Sequence, residues 1–72
     1  MARIDLTGRI CLEPVNREPM DGWAIVVHGR IAAELIFTTK ELAQLKCVVD
    51  RRYFTSDVVP VVVTGEHVRR VQ

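Results

Sequence analysis

The chain has 72 residues, of which 49% are apolar and 26% charged, with a formal net charge of +1. These figures describe one small globular domain over residues 1–72 and argue against intrinsic disorder, which calls for low hydrophobicity and high net charge. The longest apolar run, Val58 to Val63, is far below the ~20 residues of a membrane-spanning helix. No basic segment followed by an apolar stretch reads as an export signal, so the expected compartment is the cytoplasm.

For a chain of this mass, surface scaling gives a folded area of roughly 4,500 Å², with about 62% of the extended chain's surface buried. Hydrophobic burial and conformational ordering then each come to on the order of 110 kcal/mol and cancel. A lone monomer is therefore expected to be marginal. The two cysteines, Cys11 and Cys47, are expected to stay reduced. A zinc site would need Cys11, His28, Cys47 and His67 to converge without any short-spaced pair to organise it. Self-association is the expected supplement, and no cofactor is implied.

Residues 2–12 alternate, with Ala2, Ile4, Leu6, Ile10 and Leu12 on one parity, the period of a half-buried strand. Gly8 reads as a bulge in one continuous bent strand. The alternative is a three-residue turn pairing Leu6 with Ile10 and Ile4 with Leu12. Pro14 ends the strand, and Asn16 to Gly22 reads as an exposed loop.

Trp23 to His28 and Ile31 to Phe37 are apolar runs flanking Gly29-Arg30, read as a type II′ hairpin turn. That register places Ala24, Val26, His28, Ile31, Ala33 and Leu35 on one face, and Trp23, Ile25, Val27, Ala32, Glu34 and Ile36 on the other. Both faces need cover.

Thr38 with Glu41 reads as a capping box, and Leu42, Leu45, Val48 and Val49 follow at helical spacing, predicting a helix over Thr39–Asp50. One short helix covers one hairpin face, which leaves the second for a partner. Val58 to Thr64 reads as a strand, with Pro60 placing it at a sheet edge or a strand start. Gly65-Glu66 then turns the chain into a closing strand, His67 to Val71. The predicted fold is α+β, a small antiparallel sheet or half-open barrel in the order β-β-β-α-β-β with one helix packed on it.

Catalytic patterns are sparse. Neither lysine follows a glycine, which removes the P-loop pattern. A triad would need Ser56 with His28 or His67 and Asp57, yet no nucleophile elbow surrounds Ser56. The expected function is a non-catalytic interaction or regulatory protein, binding a macromolecular partner as a homodimer. Trp23, Ile25, Val27 and Arg30 are its candidate contact residues. The alternative is a nucleic-acid-binding module. Residues 37–72 carry a net +2, and Arg51, Arg52, Tyr53, Arg69 and Arg70 combine cations with a stacking surface. Against that reading, the pI near 7.8 is low for such a protein.

Overall fold

The computed structural model describes residues 3–15 and 17–71; Ala2 of the predicted first strand and Asn16 of the predicted loop lie outside them. The fold is α+β, with a two-stranded antiparallel hairpin and a curled four-stranded antiparallel sheet. The expected class holds, but the first predicted strand is divided in two. β1 (Arg3–Ile4) and β2 (Ile10–Cys11) pair as Arg3 with Cys11 and Ile4 with Ile10.

Asp5 decides that division. Its carboxylate accepts from the Thr7 amide (2.8 Å), the Thr7 hydroxyl (2.6 Å) and the Arg9 amide (3.1 Å). The Gly8 amide donates to the Asp5 carbonyl at 3.1 Å, and the Asp5 amide to the Arg9 carbonyl at 3.0 Å. Gly8 adopts φ +80°, the left-handed residue that completes a three-residue hairpin loop. The register differs by one residue on each strand from the turn considered above, so Leu6 falls in the loop instead of pairing with Ile10.

β3 (Met20–Val27) and β4 (Arg30–Phe37) form the central hairpin. Its turn is His28-Gly29, one residue earlier than predicted. Both residues have positive φ, +52° and +77°, which is the type I′ geometry. Val26 faces Ile31 but Ala24 faces Ile36, so β4 bulges between them. The bulge exchanges Leu35 and Ile36 relative to the predicted faces. Ile36 joins Ala24, Val59, Val61, Val63 and Ile10 in one buried cluster. Leu35 joins Ile25, Phe37, Ala43 and Cys47 in the other.

α1 (Lys40–Val49) is capped by Thr39, whose hydroxyl accepts from the Leu42 amide at 3.2 Å. The predicted Thr38–Glu41 box does not form. Thr38 is drawn into the sheet-side network, its amide donating to the Gly8 carbonyl at 3.0 Å. A short 3-10 turn (Arg51–Tyr53) leads to β5 (Asp57–Thr64) and β6 (His67–Arg70).

The sheet order is β4-β3-β5-β6, so β5 is an internal strand and Pro60 sits in its middle, opposite Trp23. The edge-strand rule is nonetheless met locally. The Pro60 carbonyl accepts from the Val71 amide at 3.0 Å, so the side lacking a donor faces the frayed end of β6, away from the β3 ladder.

Both hairpin faces are covered within one copy of the chain, fully around Ala24 and Ile25 and partly toward the turn, where Val26, Val27, Ile31 and Ala32 stay half-buried. The curl of the sheet, closed by Ile10 and Leu12, fills one side, and α1 with the 3-10 turn covers the other. The expectation that a partner must shield the second hairpin face is therefore overturned. Among the described residues, no helix is long and apolar enough to cross a membrane.

Candidate interaction surface

Large apolar side chains are exposed at several places, Val15 and Phe54 among them, but three of them lie together on the helix, because α1 docks with its small residues inward. Ala43 and Cys47 are buried against Ile25, Leu35 and Phe37. Leu45, Val48 and Val49 are 57%, 68% and 72% exposed. At 100° per residue these three lie roughly opposite Ala43 and Cys47. The spacing noted in the sequence is real, but of its four residues only Leu42 packs inward, and the other three mark the outward side. The pair Ala43 and Cys47, four residues apart, was the available signal: small side chains let a helix approach a sheet face already filled by large ones.

The surface extends beyond the helix. Leu6 in the β1–β2 loop is fully exposed. Next to it, Thr7 with Phe37, Leu42, Leu45, Lys46 and Val49 lines a groove of about 180 Å³. Leu42 packs against Gly8, where a Cβ would collide with its Cδ1, so the loop seats directly on this flank of α1. The chain exposes 5,300 Å² in all, about 800 Å² more than a compact monomer of its mass is expected to show.

Of the residues predicted to meet a partner, Ile25 is fully buried and belongs to the core. Val27 is half-buried beneath α1, and Trp23 is half-buried with Lys40 Nζ 5.6 Å from its ring centroid. Arg30 is exposed beside the β3–β4 turn. The four do not form one surface.

The basic-aromatic group is similarly divided. Arg51 and Arg52 are exposed, but Arg52 is bound to Asp50 through Nη2 (2.7 Å) and Nε (3.1 Å), with its guanidinium 5.2 Å from the Tyr53 centroid. These contacts hold the Asp50 carboxyl well below, and the Arg52 guanidinium above, their ordinary pKa ranges. Tyr53 packs into the core beneath α1. Arg69 and Arg70 stand on β6 opposite Val62 and Val61. Those residues lie four and five positions along β5 from Asp57, roughly 13–17 Å away at strand rise.

Ser56, Asp57 and His28 reach the rim of one hollow of about 250 Å³. No side-chain hydrogen bond among the described residues joins them, whereas an activated nucleophile needs its base within that reach. Cys11 and Cys47 are free thiols, and burial pushes the Cys47 thiol upward, which disfavours the reactive thiolate. No group of three or more potential metal ligands converges among the described residues. Compared with known protein families, with curated proteins and with solved structures, the chain matches none.

Proposed function

We propose that this protein is a non-catalytic interaction protein that regulates a macromolecular partner by covering part of its surface. One observation carries the reading: α1 turns Leu45, Val48 and Val49 to solvent while Ala43 and Cys47 face the core. An exposed apolar patch of a few hundred Å² on a small domain is often a functional one. The anchoring of Arg52 and the half-burial of Tyr53 weigh against the nucleic-acid alternative, which draws on both.

Affinity capture from native lysate, with and without nuclease, tests the proposal. The wild-type chain should retain a protein target after nuclease treatment, and Leu45→Asp or Val48→Asp should release it without unfolding the domain. Capture that vanishes with nuclease, falls steeply with salt and depends on Arg51 would instead establish the nucleic-acid reading.

A further inference from the structure

We infer that the outward face of α1 pairs with the same face of a second copy, antiparallel, so that Glu41 of each chain meets Arg51 of the other. The inference rests on the functional reading above and names an occupant for that surface.

Charge order along the helix favours this pairing. Glu41 is exposed in the first turn, Leu45, Val48 and Val49 follow, and exposed Arg51 lies just beyond the C-terminal end. An acidic end, an apolar middle and a basic end are complementary to themselves only when one copy is reversed. That is the condition a two-fold interface imposes. With Leu45 set against Val48 of the other copy, Glu41 reaches past the C-terminal end of that copy's helix, toward Asp50 and the 3-10 turn that begins with Arg51. Arg52 is held by Asp50, whereas neither Arg51 nor Glu41 has an ion-pair partner among the described residues. Reversal also sets each helix's positive end beside the other's negative end.

The exposed area is also of the right order. Leu6, Leu45, Val48 and Val49 together expose on the order of 500 Å² of apolar-residue surface, and two copies pool about 1,000 Å², the lower bound for a specific interface. The expected complex is therefore weak and reversible.

The sheet edges are poorly suited to this pairing. β6 carries Arg69 and Arg70, which would oppose like charges. β4 is bulged, and the Arg9 guanidinium already donates to the Glu34 carbonyl at 3.3 Å. Both are known defences against edge-to-edge association. A face buried in a dimer is closed to a target, so self-association holds the binding surface in reserve and a target competes for it.

Sedimentation equilibrium of the full chain over the micromolar range tests the arrangement. The wild type should rise from 8.2 kDa toward twice that mass, and Leu45→Asp should stay monomeric. Glu41→Arg alone and Arg51→Glu alone should each weaken dimerisation about tenfold, because each reversal sets two like-charged contacts across the seam. Mixed in equal amounts, these two variants should form a heterodimer of near wild-type affinity. Circular dichroism on each variant confirms the fold.

A wild type that remains monomeric overturns the proposal, as does a dimer indifferent to Leu45→Asp. A mixture that does not recover overturns the antiparallel register. If the chain stays monomeric while Leu45→Asp still releases a captured target, self-association fails and the functional reading stands. If the dimer forms as drawn but target capture ignores α1, the opposite holds.

Discussion

Gly8 and Gly29 share a backbone conformation but not an environment, and that contrast gives a quantitative test of how the β1–β2 loop is held against α1. Their φ values are +80° and +77°. A Cβ at Gly29 would meet nothing within 4 Å, whereas one at Gly8 would collide with Leu42 Cδ1 and stand 3.5 Å from Thr38 Oγ1. Gly29→Ala should therefore cost only the left-handed conformation, about 1 kcal/mol. Gly8→Ala should cost the same plus displacement of Leu42, for about 2–4 kcal/mol in total. In a domain of this size the gap corresponds to roughly 5–20 °C in Tm. Urea and thermal unfolding followed by circular dichroism measure both variants, and Leu42→Ala completes the cycle. In that background Gly8→Ala should fall back to the cost of Gly29→Ala. Equal losses at the two glycines, or a Gly8→Ala cost unchanged by Leu42→Ala, would refute the claim that the loop seats on this side chain.

Three other outcomes follow from the same packing. Leu45→Ala and Val48→Ala should change stability by no more than about 0.5 kcal/mol at dilutions where the chain is monomeric, while Ile36→Ala should lose about 2–5 kcal/mol. Ala43→Leu should lose about 1–3 kcal/mol by overpacking, and the reverse ranking would turn α1 over. Asp5, held at about 2 chiefly by the Thr7 hydroxyl, lies below the ~3.9 of an unfolded carboxyl. Between these values the unfolded chain binds more protons, so the stability Asp5 contributes is complete above about pH 4 and is lost as pH falls toward 2. Asp5→Asn should lower stability at pH 7 and flatten that acid slope in denaturation curves, and an unchanged slope would discount the hydrogen bonds at this carboxylate. Half-buried Cys11 should react with a thiol reagent in the native state, and buried Cys47 only as the domain opens; equal rates would contradict the burial of Cys47.

The parts of the fold legible in the sequence are those set by short-range chemistry. The α+β class, the β3–β4 hairpin, the Gly65-Glu66 turn and the extent of α1 all follow from turn residues and periodicity. What escaped prediction required knowing which local rule prevails. At residues 3–11, alternation suggests one strand, but the side chain of Asp5 supplies the acceptors that close a loop. In β4, a bulge between Ile31 and Ile36 moves Leu35 and Ile36 to opposite faces, and no residue in that stretch announces it. Pro60 implied an edge, because the sequence does not show that β6 ends where the missing donor would be needed. Periodicity predicts the helix but turns it the wrong way, since four large apolar residues outvote Ala43 and Cys47 in any count of hydrophobicity. The same count hides the candidate surface, because it assigns Leu45, Val48 and Val49 to the core.

Why α1 accepts this orientation is a matter of volume. Burying an aliphatic side chain is worth about 1.5–3 kcal/mol, so three largely exposed ones leave several kcal/mol unrealised in the monomer. The sheet face beneath the helix is already filled by Ile25, Leu35 and Phe37, with Trp23 and Tyr53 at its margin. Turning Leu45 and Val48 inward would overfill that space, and overpacking costs as much as it returns. One contact between elements also fixes the rotation of the helix: Leu42 set against Gly8 of the β1–β2 loop. The domain therefore cannot recover this hydrophobic free energy by internal repacking. The tight docking of Ala43 and Cys47 and the exposure of Leu45, Val48 and Val49 are two consequences of one packing arrangement.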